Sequence, residues 1–311
     1  MRSDSLLSMN LPRILTLLLV LVSATSVEAQ ELEPRRWSHL PKGANFLGGG
    51  YAYTEGNLFF DPVLKIEGAT VELHTLALKY IRSFELLGRS ARIDLAGAYQ
   101  DGTWEGLLNG VPARAERSGW ADPVVRLAVN LLGAPPLDGQ EFADYRAGIK
   151  GETIVGAGLA VKVPLGEYFE DKLINLGSNR FTIRPQLGVV HTRGRWSFEL
   201  TGSAWIFTDN DDFFGGKTLE QDPFFAIQGH VVYSFRPGLW IASGLGYGLG
   251  QESTVDGDSK DDRKQDVVWG LSVGYPITRS FGVKVRYLGR RAQADTGIDS
   301  DNFTVGGSYF W

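Results

Sequence analysis

The sequence predicts an all-β fold: a transmembrane antiparallel β-barrel of about twelve strands, outer-membrane type. Three observations carry the prediction. Period-two alternation of apolar and polar residues recurs along the chain while helical periodicity is scarce. Tight turns alternate with long polar loops. The chain ends on an aromatic residue inside an apolar strand pattern, Thr304 to Trp311.

The elements follow in chain order. Arg13, the apolar run Ile14 to Val22 and the small-residue site Val27-Glu28-Ala29 read together as a secretory signal peptide over residues 1–29. Met9 serves equally well as the start, since the signal is intact without the first eight residues. Residues 30–44 are expected as a periplasmic N-terminal segment and 45–311 as the barrel. Twelve alternating runs lie near 45–54, 70–84, 89–101, 119–131, 152–164, 180–192, 195–207, 223–235, 239–250, 265–276, 280–291 and 301–311. Each approaches the roughly 9–11 residues that a tilted strand needs to cross a bilayer, and the even count suits a bacterial barrel. In the third run Ala91, Ile93, Leu95, Gly97 and Tyr99 share one face, and Arg92, Asp94, Ala96, Ala98 and Gln100 the other. Side chains alternate across a strand, so one face meets lipid and the other water.

The connections sort by length. Leu86-Leu87-Gly88, Arg193-Gly194, Arg236-Pro237-Gly238 and Ile277-Thr278-Arg279 are tight. Long polar loops are expected at about 102–118, 165–179, 208–222, 251–264 and 292–300. A soluble sandwich has no reason to place short turns on one rim and long loops on the other. Leu132 to Lys150 breaks the pattern and reads as a periplasmic cap, with Phe142, Tyr145 and Ile149 on one helical face. Trp196, Tyr80, Tyr233, Phe235, Tyr275, Phe281 and Tyr287 stand near strand ends as an interfacial girdle. Thr304, Gly306, Tyr309 and Trp311 fit a barrel-assembly signal at the C-terminus.

Composition narrows the function classes. There is no cysteine, hence no disulfide framework and no thiolate metal site. A net charge of −5 without a basic run argues against nucleic acid as a partner. Asp256-Gly257-Asp258 with Asp261 and Asp262 lacks the sixth-position glycine and the twelfth-position glutamate of a calcium loop. Solvated loop acids, there and at Asp209, Asp211 and Asp212, are the main reading, with weak divalent bridging to lipopolysaccharide as the alternative, and neither a metal site nor a cofactor is assigned. An outer-membrane lipid hydrolase needs serine and its base side by side. None of His39, His74, His191 and His230 stands in such an arrangement in the sequence, so no catalytic residue is assigned.

The inward face carries the functional expectation. In the alternating registers it holds Lys79, Arg92, Arg126, Lys162, Arg180, Arg184, Lys284 and Arg286, eight basic residues, against four acidic ones, Asp94, Asp122, Glu199 and Asp266. His230 joins this lining, Trp205 and Trp240 narrow it, and Gly156, Gly158, Gly244, Gly246 and Gly248 leave room along two walls. Two readings stay open: an ion-paired interior that braces a nearly closed barrel, and a narrow hydrated path with positive excess.

Several segments together resemble a known group. They are Trp37 to Phe46, Gly119 to Pro123, Asn130 to Pro135, Leu173 to Arg180, Phe207 to Phe213, Gln221 to Pro223 and His230 to Phe235. In this order they are similar to the outer-membrane, transporter-like proteins of the meta-pathway of phenol degradation. The resemblance implies a barrel in the bacterial outer membrane that passes small molecules, aromatic compounds among them. Expected partners are outer-membrane lipids and lipopolysaccharide, the barrel-assembly machinery and a small-molecule solute. A non-conducting structural or surface-interaction barrel is the alternative.

Overall fold

The structure, a computed structural model, describes residues 32–60 and 66–311; the expected signal peptide lies outside the described residues. The strands are β1 (Asn45–Phe59), β2 (Ile66–Leu86), β3 (Arg89–Leu108), β4 (Val111–Trp120), β5 (Val124–Leu132), β6 (Gly151–Lys162), β7 (Thr182–Arg193), β8 (Trp196–Phe207), β9 (Asn210–Phe213), β10 (Lys217–Gln221), β11 (Phe224–Arg236), β12 (Leu239–Gly250), β13 (Ser253–Val255), β14 (Asp258–Ser259), β15 (Lys264–Pro276), β16 (Phe281–Ala292) and β17 (Gly297–Phe310), with one helix, α1 (Gly139–Gly148).

Twelve of these strands close into the expected antiparallel barrel. The wall runs β1-β2-β3-β5-β6-β7-β8-β11-β12-β15-β16-β17 and returns to β1, where Tyr51 pairs with Val305. Closure leaves the membrane-crossing wall without a free edge, and every backbone polar group in lipid then has a partner. The outward face is apolar and uncovered: Leu76, Leu78, Leu187 and Leu245 are each 60–62 % exposed. In a soluble protein such a belt would be an aggregation site; around a closed barrel it is the lipid contact.

Two expected boundaries are corrected. The span 102–118 is a hairpin, not a loop: β3 runs on to Leu108, turns through Asn109-Gly110, and returns as β4. Both turn residues have positive φ, 53° and 76°, the conformation of a tight hairpin turn. The run 119–131 is correspondingly not one strand. β4 and β5 occupy successive stretches of the same position beside β3 and are separated by Ala121-Asp122-Pro123. Pro123 has no N–H for the ladder, while the Ala121 N–H still reaches the Ala98 carbonyl at 2.9 Å.

The loops expected at 208–222 and 251–264 are likewise ordered. β9, β10, β13 and β14 form a separate four-stranded sheet over buried Phe213, Leu219 and Val255. Their acids cap turns: Asp256 accepts from the Thr218 N–H at 2.9 Å and Asp262 from the Ser253 N–H at 2.6 Å. Residues 132–150 contain α1, with Ile149 just past its end and Phe142 and Tyr145 packed edge-on to His39.

The segment before β1 takes a course that period-two patterning does not reveal. Residues from Leu32 to Trp37 lie within the barrel wall. Trp37, 2 % exposed, packs with Ala128, Ile154 and Val190, which belong to β5, β6 and β7.

Candidate functional site: the barrel interior

The interior divides into two tiers. At the level of the N-terminal segment, Glu33 pairs with Lys79 at 2.9 Å, Arg36 at 3.1 Å and Arg126 at 3.6 Å. Asp94 draws in Arg126, Arg92 at 3.3 Å and Lys79 at 3.7 Å. Four sequence-predicted wall residues, Lys79, Arg92, Asp94 and Arg126, therefore converge on one network whose centre, Glu33, comes from outside the wall. A buried carboxylate is tolerated because several cations surround it.

The segment is anchored across the lumen. The Arg35 N–H donates to both carboxylate oxygens of Glu199, at 3.1 and 2.8 Å, and its guanidinium lies over Trp240, 5.4 Å from the ring centroid. Arg36 donates to Gln186 at 2.9 Å, and the Trp37 indole N–H to Thr201 Oγ1 at 2.9 Å. Trp37 sits in a cradle made by glycines: any Cβ at Gly156 or Gly188 would overlap its indole. The inward glycines thus do not leave open room along two walls. Their space is filled by Trp37 at Gly156 and Gly158, by His230 at Gly244 and by Phe224 at Gly248.

The outer tier has a different character. Arg184 lies 4.1 Å from the Trp205 ring centroid, and Trp205 meets Phe224 edge-on at 5.4 Å. Arg180 lies over Phe207 at 4.6 Å. Arg290 pairs with Asp266, and both are buried. Lys264 is buried nearby. Asp122, in the break between β4 and β5, binds the Gly166 N–H at 2.9 Å and the Ser178 N–H and hydroxyl at 2.8 and 2.6 Å, with Lys162 at 3.9 Å. It holds the 163–181 connection across the mouth. On β16 and β17, Arg286 reaches Thr304 at 3.4 Å, with Lys284 two residues before it on the same face. His230 is buried on β11.

Sequence reasoning missed Glu33, Arg35, Arg36 and Trp37, because a segment outside the strand runs has no face to assign. The signal was the density of charge and a tryptophan in Glu33-Pro34-Arg35-Arg36-Trp37 immediately before the first strand. Lys264 was missed because the strand was begun one residue later.

His74 and His191 face outward. His74 Nδ1 bonds the Tyr51 hydroxyl at 2.6 Å and His191 Nδ1 the Thr153 hydroxyl at 2.9 Å. At the C-terminus, Trp311 exchanges two backbone bonds with Asn45, at 2.9 and 3.1 Å, and stacks on Tyr309. Gly306 lies where a Cβ would approach the Gly49 carbonyl oxygen to 3.0 Å.

The fold is shared with solved outer-membrane proteins. The COG4313 outer membrane channel from Pseudomonas putida F1 superimposes with a TM-score of 0.73 at 21 % identity, over 90 % of this chain and 100 % of that one. The transport unit of the autotransporter AIDA-I from Escherichia coli gives a TM-score of 0.50 at 9 % identity, over 96 % and 97 % of the two chains. No curated protein sequence matches the chain. Residues 48–305 match the family described as "Putative MetA-pathway of phenol degradation". An outer-membrane β-barrel by its closed wall and lipid-facing belt, the chain belongs to that family.

Proposed function

We propose that the protein is an outer-membrane channel for passive passage of small molecules, among them aromatic compounds linked to phenol degradation. The observation that carries the reading is the outer tier. Ionisable side chains there line the interior of a closed barrel, and Lys162, Arg180, Arg184, Lys264, Lys284, Arg286 and Arg290 outnumber Asp122, Asp262 and Asp266. Fixed wall charge of one sign sets the barrier that a permeant ion meets. A twelve-stranded wall with side chains inside encloses a narrow lumen, so the solutes are small and oligosaccharides are excluded. The COG4313 protein is itself named as a channel.

One observation favours the alternative, a non-conducting barrel: the N-terminal segment and its ion pairs fill the inner tier. No catalytic role is assigned. The His191–Thr153 pair has no carboxylate to orient the imidazole among the described contacts, and a triad base needs that third group. Liposome swelling with purified protein separates the two readings. Passage of small carboxylates with little passage of disaccharides is expected. Replacing Arg184 and Arg286 together with Gln lowers the anion preference of the conductance while unheated protein keeps its fast migration on SDS gels. Absence of any swelling or conductance leaves the non-conducting barrel.

A further inference from the structure

Arg92, Arg126 and Arg290, buried or nearly so on the inner wall, each take a carboxylate: Asp94 for the first two and Asp266 for Arg290. Arg180 does not. It is 6 % exposed, and among the described residues its side-chain hydrogen bond goes to Gln221, not to a carboxylate. Its Nη2 donates to the Gln221 side-chain carbonyl, and its Nη1 has no partner. Two carboxylates, Asp209 and Asp122, act on it only through space, and Asp122 is already committed to three donors of the 163–181 connection. A buried cation with no counter-charge in contact is costly, and a buried donor left unmade adds to that cost.

Two further features lie on the adjoining strands. Thr182, two residues along and 5 % exposed, has a buried hydroxyl without a hydrogen-bond partner. The Phe207 ring lies under the guanidinium, and Thr182 pairs directly with Phe207 in the β7–β8 register. Trp205 and Phe224 continue the aromatic surface toward the centre of the barrel. A cationic donor, a hydroxyl and an aromatic wall on one spot match a carboxylate carried on a small flat apolar body.

We propose that Arg180 and Thr182 bind the carboxylate of a small planar anion at the outer end of the lumen, with Phe207 against its apolar body. The site rests on the channel reading for the route of the solute, but not for its own existence. It explains why this arginine is held by a neutral amide rather than by an acid: an internal carboxylate would occupy the position that the solute takes. The neutral amide fixes one nitrogen and leaves the other for the ligand.

The test is calorimetric titration of the purified full chain in detergent with benzoate and with benzyl alcohol, its uncharged counterpart. Benzoate is expected to bind at least about tenfold more tightly, as a charge-assisted bond to a buried guanidinium requires. Arg180→Gln lowers benzoate affinity by about tenfold or more and leaves benzyl alcohol unchanged, while Arg180→Lys restores part of the loss. Thr182→Val, which leaves the Gln221 bond in place, weakens benzoate by roughly two- to tenfold and guards against misfolding of the first variant. Fast unheated migration on SDS gels reports the folded barrel. Equal affinity for the two ligands, or benzoate binding unmoved by Arg180→Gln and Thr182→Val, overturns the site. Liposome swelling on the same preparation keeps the two readings apart. Benzoate binding without swelling supports the site and removes the channel; swelling without benzoate binding removes the site and leaves the channel.

Discussion

His39 shows how much one side chain of the N-terminal segment depends on its surroundings. Its Nε2 donates to the Pro135 carbonyl at 2.7 Å, so the deprotonated Nδ1 faces Glu152 Oε1 at 3.8 Å without a hydrogen bond. Glu152 is already served by the Ala134 N–H, the Tyr145 hydroxyl and Arg146. Burial pushes the Tyr145 hydroxyl up to about 12, helped by its bond to Glu152. Burial also holds the His39 imidazole below its ordinary value, against the opposing pull of Pro135 and Glu152 and with the help of Arg146. A histidine with a depressed value in the docked state contributes fully above its free value of about 6.5, and that contribution is lost as pH falls through the docked value. Acidification from neutral to pH 5 is therefore expected to loosen residues 32–44. Proteolysis of the N-terminal segment of detergent-solubilised protein, measured against pH, checks this. His39→Asn should flatten the profile; an unchanged profile would remove His39 from the anchor. None of this chemistry was legible in the sequence, where His39 is a lone histidine. The same holds for Trp37, whose glycine cradle comes from β6 and β7. The sequence marks inward glycines but not what fills them.

Strands are legible where the two faces meet different solvents, and they blur where both meet water. β7, β8, β11, β12, β15 and β16 match their predicted runs within a few residues because lipid on one side and polar interior on the other enforce alternation. β1, β2 and β3 extend well past their predicted outer ends. There the outward rows read Glu55, Thr103 and Glu105, and polarity disguises the strand as loop. The Asn109-Gly110 dipeptide was the remaining hairpin signal. The last strand belongs to both walls of the seam. β17 pairs with β16 on one side and β1 on the other, and Trp311, just past it, closes the backbone ring with Asn45. Trp311 and Tyr309 are 56 % and 50 % exposed, which places two stacked aromatics at the rim where the bilayer interface lies. We read Thr304, Gly306, Tyr309 and Trp311 as the segment through which the assembly machinery takes up the barrel. Deleting Trp311 is expected to lower the amount of folded protein in the outer membrane, measured as the heat-modifiable fraction, without altering conductance per folded molecule. Normal membrane levels would count against the assignment.

At the scale of the whole molecule the barrel and its contents answer to different forces. The wall is held by a continuous antiparallel ladder with no edge from which to unravel. The N-terminal segment is held by side-chain contacts: the Glu33 ion pairs, the Glu199 bonds to the Arg35 N–H and the Trp37 cradle. Each of these can be cut without touching the ladder. Truncating a buried tryptophan costs about 3–5 kcal/mol, while a hydrogen bond of the Trp37–Thr201 kind contributes about 0.5–1.5 kcal/mol. Trp37→Ala therefore removes most of the apolar docking energy and leaves the charged contacts, which a lumen open to water weakens further. The segment should then spend part of its time undocked. Single-channel recordings of Trp37→Ala are expected to show higher mean conductance, or frequent steps to a larger open level, than the native protein. Heat-modifiable migration should be unchanged, because no ladder bond is lost. Salt adds a second handle. Raising ionic strength screens the Glu33 pairs, so the variant should visit the larger level more often at high salt, whereas the native protein, with Trp37 in place, should respond weakly. A variant that conducts as the native protein does at every salt concentration would mean that the segment does not obstruct the path, and that the narrowest part of the lumen lies in the outer tier beside Arg180 and Arg184.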